Sequence, residues 1–154
     1  MALKSRPLNA CGPAAWGVRR IMIEIIAMLI VIVAALFLIG LSAFTFFAPA
    51  FIARFLNGFA SSSRVHYLEM LARLTAGSAL IIYSPRMLFS NIYWLFGWAI
   101  VISTAILIVL PWQWHNRFAQ KALPPLTSKV WLFGIFSLPL GAVILFSVLY
   151  EKIA

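Results

Sequence analysis

Between Ile21 and Phe47 the chain carries one charged residue, Glu24, and it lies in the first turn of the run. A helix crosses the hydrocarbon core of a bilayer with about 20 residues. This run is longer, so it predicts a transmembrane helix that tilts or extends past the hydrocarbon, ended by Pro49. Composition agrees with that reading. Hydrophobic residues make up 64% of the chain and charged residues 10%, against about 45–50% and about 25% in soluble domains. Twelve Lys/Arg and three acids cannot cover this much Leu, Ile, Phe and Trp in water. Lipid is the solvent that makes the composition sensible.

Three further spans follow. The apolar stretch Leu74–Tyr83 is too short alone. Extended back through Arg73 and Glu69, it predicts a helix over 64–84. Glu69 and Arg73 stand four apart with the acid first, the favourable order for a helical ion pair at the membrane surface. A third span covers 92–110 and ends at Pro111. A fourth covers 130–150, and Pro139 inside it should bend the helix by removing one backbone hydrogen bond. Trp94, Trp98, Trp112, Trp114 and Trp131 fall mostly near span ends, as an aromatic belt requires. The expected architecture is an all-α, integral membrane four-helix protein over 21–154, behind a polar tail at 1–20.

The connections after the first and third spans are alike. At 100° per residue, Phe51, Ile52, Phe55, Leu56 and Phe59 fall on one arc, with Arg54 and Asn57 opposite. In the later connection Gln113, Arg117, Gln120 and Lys121 share one arc and Trp114, Phe118 and Ala122 the other. Both predict short amphipathic helices in the interface. Each half of the chain also has an Arg-Phe pair after a proline (Arg54-Phe55, Arg117-Phe118). Each then places a glycine 23 or 24 residues beyond the Arg, Gly77 and Gly141. This order predicts two tandem hairpins related by an axis along the membrane normal.

Span, proline, basic amphipathic connection and a glycine-bearing span together resemble the YjeT-like small inner-membrane hairpin proteins of bacteria, here in tandem over residues 29–83 and 95–148. The resemblance implies a multi-pass protein of the bacterial inner membrane and carries no activity with it. The long N-terminal tail and the Glu69–Arg73 pair depart from that pattern.

Residues 1–20 show no helical pattern. They are not read as a secretory signal, because the apolar run after them is far longer than an h-region and no small-residue cleavage site follows it. Arg19-Arg20 lacks the flanks of a twin-arginine signal. With four spans, Lys4, Arg6, Arg19, Arg20, Arg86 and Lys152 share one side, and Arg54, Arg64, Arg73, Arg117, Lys121 and Lys129 the other. The positive-inside rule therefore ties. First-span dominance favours a cytoplasmic tail, whereas a start at Met22 reverses the balance. The reading adopted faces the two amphipathic connections to the cytoplasm.

The formal charge of +9 would point to nucleic acid in a soluble protein. Here the cations cluster between apolar spans, where anionic head groups attract each by about 1 kcal/mol, so no nucleic-acid partner is expected. The single cysteine, Cys11, rules out an intrachain disulfide framework and a Cys-rich metal site. Ionisable groups inside spans are the usual mark of transport. Glu24 and Glu69 sit near span ends, and no span carries a polar face. His66 and His115 share one membrane side but lie at the interface, not inside spans where haem-ligating pairs sit. Neither is read as a ligand, and no cofactor or metal is expected. Hydrolase, zincin and phosphate-loop motifs are absent. Ser61-Ser62-Ser63 reads as a loop and helix N-cap.

What remains is surface for packing. Ala72, Ala76, Gly77 and Ala79, with Ser78, give the second helix a small-residue stripe that lets backbones approach closely. Ser103, Thr104, Gly134, Ser137 and Gly141 offer the same in the third and fourth helices. The expected function is a non-catalytic accessory subunit that packs in the bilayer against a larger membrane protein complex. Arg54, Arg64, Arg117 and Lys121 would anchor it to lipid phosphates or an acidic partner surface. The alternative is a free-standing membrane protein that binds lipid or a hydrophobic small molecule between its helices.

Overall fold

The computed structural model describes residues 13–52, 54, 63–109 and 130–153. These residues are helical almost throughout. The long elements are α1 (Pro13–Phe47), α2 (Ser63–Tyr83), α3 (Ser90–Val109) and α4 (Val130–Ile153), with a 3-10 turn at Ser84–Arg86 between α2 and α3. The helix α1 starts eight residues earlier than Ile21, which corrects the reading of 1–20 as wholly unpatterned. Pro13 suits a first helical position, where its missing N–H is needed by no partner. Arg19 then stacks over the Trp16 ring at 5.4 Å, one turn along the same helix.

The α2–α3 corner shows how a proline stops one helix without orphaning a carbonyl. Pro85 has no N–H to donate to Ile81 O, four residues back. The Ser84 hydroxyl donates to that carbonyl instead, at 2.9 Å. The Met87 N–H then donates to Ser84 O at 3.0 Å and closes the turn.

The helices run antiparallel in sequence order, and contacts fix the ends. Ser42 near the end of α1 donates to Gly134 O near the start of α4 at 2.8 Å. Tyr93 near the start of α3 reaches Ser147 near the end of α4 at 2.7 Å. The most extensive packing joins α1 to α4 and α2 to α3, followed by α1 to α2. Pairing of first with last and second with third cuts across the predicted tandem hairpins. Each repeat unit exchanges more contact with the other than its own two helices do.

Buried positions explain why α1 and α4 pair. On α1 they are Ala27, Val31, Ala35, Ser42 and Thr45, with Leu38 half-buried. On α4 the stripe is Gly134, Ser137, Gly141, Ile144 and Val148, while the buried Ser147 meets Tyr93 of α3. The α4 steps alternate three and four residues, a mean of about 3.5, which keeps one stripe against a partner along its whole length. That stripe is made of small residues where it meets α1. A Cβ on Gly141 would lie 2.8 Å from Ala35 O, and one on Gly134 would lie 2.9 Å from the Phe46 ring. Pro139 falls inside the unbroken α4, on its exposed side.

The outer surface is apolar. Val33, Phe37, Leu68, Leu95, Ile106 and Phe136 are each more than half exposed. By length and composition, α1 and α3 are long and apolar enough to cross a membrane, and Gly134–Tyr150 within α4 is a shorter apolar stretch. Of the first predicted amphipathic connection, Phe51 is exposed, Ile52 is buried and Arg54 is exposed. The rest of that connection and all of the second, with Arg117, Lys121, His115, Trp112 and Trp114, lie outside the described residues.

Candidate functional site

Where α1 meets α2, small residues on both helices leave an open groove of about 380 Å³. Its α1 wall is Ile23, Ile26, Ala27 and Ile30, and its α2 wall is Leu74, Thr75, Ser78, Ala79 and Ile82. Ala27 and Ala79 are buried and form the floor, while Ile23, Ile26 and Ile82 are exposed at the rims. The groove follows from that alternation: short side chains where the backbones approach, branched ones to either side. The eight steps from Leu74 to Ile82 on α2 give it a length of about 12 Å at 1.5 Å per residue. The Thr75 hydroxyl donates to Leu71 O of its own helix at 2.8 Å. A satisfied hydroxyl can line an apolar groove at little cost.

One end of the groove opens onto charge. Ile23 is followed by Glu24, and Ile82 lies one turn before Arg86. Arg86 Nη2 donates to Glu24 Oε2 at 2.8 Å, and Arg20 Nε stands 3.7 Å from Glu24 Oε1. Each carboxylate oxygen thus faces a different guanidinium. The arginine side chains are 84% and 54% exposed, for Arg20 and Arg86, against 25% for Glu24. Pairs so exposed contribute less than about 1 kcal/mol each in water. Their consequence is placement: two guanidinia held against one carboxylate at the groove mouth. Glu24 was visible in the sequence, but Arg86 lies 62 residues away. Only the Arg20–Glu24 spacing of four could have hinted at the cluster.

The residues singled out from sequence are dispersed. Arg73 Nη2 pairs with Glu69 Oε1 on α2, as their spacing predicts. This pair and the exposed Arg64 lie towards the opposite end of the helices from Glu24. Gly77 and Ala79 are buried, Ala76 is half-buried and Ala72 is exposed. The expected packing stripe is therefore split. Gly77 faces α3, where a Cβ would lie 3.2 Å from Gly97 O. Ala79 faces α1 across the groove. Gly141, Gly134 and Ser137 are buried in α4, Thr104 is buried in α3 and Ser103 is exposed. His66, in the first turn of α2, is buried, with its ring edge-on to Tyr67 at 5.6 Å. Among the described residues no group of three or more His, Cys, Asp or Glu side chains converges as a metal site would require.

No family model matches the chain, and neither curated proteins nor solved structures provide a match.

Proposed function

We propose that the chain is a non-catalytic, four-span integral membrane protein that takes a hydrophobic ligand, a lipid acyl chain, into the α1–α2 groove. Support for four spans comes from the exposed surface. Large apolar side chains cover the outward faces of all four long helices, and only lipid solvates such a surface without penalty. At 1.5 Å per residue α2 and α4 measure about 32 and 36 Å, enough to cross a core of about 30 Å. The YjeT-like pattern of the sequence makes the bacterial inner membrane the proposed location. The observation that carries the ligand reading is the groove itself. It is apolar, about 12 Å long against a leaflet half-core of about 15 Å, and it opens outward where lipid would stand.

Native mass spectrometry of the protein released from mild detergent tests this. Ser78→Trp fills the groove from an exposed position, and Ile102→Trp adds the same ring to an exposed site on α3. Wild type and Ile102→Trp should keep lipid adducts that Ser78→Trp loses. Equal retention in all three, or none in wild type, overturns the groove reading.

A second reading is the accessory subunit. It is favoured by the run of exposed small residues on α2, Thr75 and Ser78 within the groove and Ala72 beyond it. A helix of a larger complex would approach closely there. Arg54, Arg64, Arg117 and Lys121 are proposed as its anchors to lipid phosphates or to an acidic partner. Affinity purification at endogenous levels should then enrich one partner complex in wild type and not in Ser78→Trp. Migration alone, with nothing enriched, sinks that reading.

A further inference from the structure

The stripe of α2 that carries Glu69 and Arg73 faces into the bundle. Leu68, Leu71, Thr75, Ser78 and Ile82 recur every three or four residues, and all are exposed, so they form the outward face of the helix. Glu69, Arg73, Ala76, Leu80 and Tyr83 recur in the same way, about 180° round the helix from them at 3.6 residues per turn. Leu80 and Tyr83 are buried in the apolar core, and Ala76 is half-buried. At Arg73 the pattern breaks. Its side chain is 48% exposed, while its Nη2 is held by Glu69, whose side chain is 16% exposed. An inward position that is half exposed means that the bundle is filled at one end and open further along. The filled end holds Leu80, Tyr83, Tyr93, Ile144 and Val148. There the Glu24–Arg86 and Tyr93–Ser147 links join the α1–α4 pair to the α2–α3 pair.

On the four-span proposal this opening lies at hydrocarbon depth. Arg73 is 13 residues (86 − 73) from Arg86, about 20 Å at 1.5 Å per residue. A core of about 30 Å then extends about 10 Å past Arg73. Ionised side chains at that depth face the bundle interior or a water-filled cavity. Glu69 and Arg73 face inward, and the exposed part of the guanidinium needs water as its solvent. We infer that the α1–α4 and α2–α3 pairs enclose a water-filled cleft, open on the side away from Glu24 and Arg86, that admits small hydrophilic solutes to the Glu69–Arg73 pair. The apolar core at Leu80 stops it. This rests on the four-span reading and not on the groove, which lies on the outward face of α2. The pair carries no net charge, so polarity and not sign sets what enters.

The test uses the full-length Cys11→Ser protein in phosphatidylcholine vesicles, with single cysteines and two membrane-impermeant methanethiosulfonates, one a trimethylammonium and one a sulfonate. Ala76→Cys, one turn deeper than Arg73 on the inward stripe, should react with both reagents from the side that labels Ala50→Cys. Val33→Cys, exposed on the outward face of α1 in the middle of its apolar run, should react with neither. Adding Glu69→Leu/Arg73→Leu should abolish labelling of Ala76→Cys, because an apolar cleft sheds its water, and Glu69→Gln/Arg73→Gln should restore it. Where the leucine pair does not fold, as judged by far-UV circular dichroism, the contrast between Ala76→Cys and Val33→Cys decides alone. An unreactive Ala76→Cys beside a reactive Ala50→Cys overturns the cleft and leaves four spans standing. A Val33→Cys as reactive as Ala76→Cys overturns both. Labelling of Ala76→Cys that persists in a folded leucine pair, or that one reagent alone achieves, overturns the role given to the ion pair.

Discussion

At the scale of single residues, glycine separates contact from its absence. Gly77 and Gly97 stand against each other where α2 crosses α3. A Cβ on Gly97 would lie 2.7 Å from Ile81 Cγ1 and 3.0 Å from Gly77 O. The second of these is backbone and cannot rotate away. Gly40, two turns before the end of α1, has nothing within 4 Å of the same construction. The two positions therefore respond oppositely to one methyl group. Gly97→Ala should destabilise the protein by about 1–3 kcal/mol, because the helices must separate to admit it. Gly40→Ala should leave stability unchanged or raise it by up to about 1 kcal/mol, through the higher helix propensity of alanine. Thermal unfolding in one detergent, followed by far-UV circular dichroism, should rank Gly40→Ala at or above wild type and Gly97→Ala below it. A Gly97→Ala variant as stable as wild type would contradict the crossing point.

At the scale of elements, α3 and α4 are held together differently from the other neighbours. Their backbones make few close approaches, and Tyr93 supplies the link. Its hydroxyl lies 2.7 Å from Ser147 Oγ and 3.2 Å from Val143 O. Hydrogen bonds between helices in an apolar setting are worth about 0.6 kcal/mol on average and at most about 1.7. A double-mutant cycle of Tyr93→Phe and Ser147→Ala should give a coupling inside that range. Zero coupling would mean that the Val143 carbonyl carries the contact alone. The individual elements were legible in the sequence. Helices predicted at 64–84, 92–110 and 130–150 are found at 63–83, 90–109 and 130–153, because prolines or charges bound each apolar run. The start of α1 was not, since the polar stretch before Ile21 has no apolar periodicity and is helical only as a continuation of α1. Pairing was not legible either. Gly77 and Gly141 each announce a close approach, but a glycine does not name the helix that approaches it. The likeness of the two halves suggested tandem hairpins, whereas Gly141 meets Ala35 and Gly77 meets Gly97. Of the candidate site, Ala79 and Ser78 were noted as small, yet the groove needs the Ile23–Ile30 face of α1 beside them. Nothing local to either helix specifies that.

At the scale of the whole molecule, the contacts divide the helix ends into two sets, and the four-span proposal turns each set into a membrane side. One set holds Arg20, Glu24, Arg86 and the Tyr93–Ser147 link. The other holds the Ser42–Gly134 bond and, further along α2, Glu69–Arg73. The cations divide six and six between the sides, so charge alone does not orient the protein. On the four-span proposal, relative sidedness is nevertheless fixed. At about 52 Å, the 35 residues of α1 exceed a core of about 30 Å. Arg19 and Arg20 then place the excess before Ile21, in water or among head groups. In a Cys11→Ser background, single cysteines at Trp16 and Phe89 should react with a membrane-impermeant maleimide from the same side. A cysteine at the exposed Ala50 should react only from the other side. Labelling of all three from one side would mean that α1 does not cross. Labelling of positions 16 and 89 from opposite sides would mean that α1 and α2 do not both cross. Either result removes the lipid-facing groove, because its two walls would no longer stand together in the bilayer with Arg20 and Arg86 at one surface.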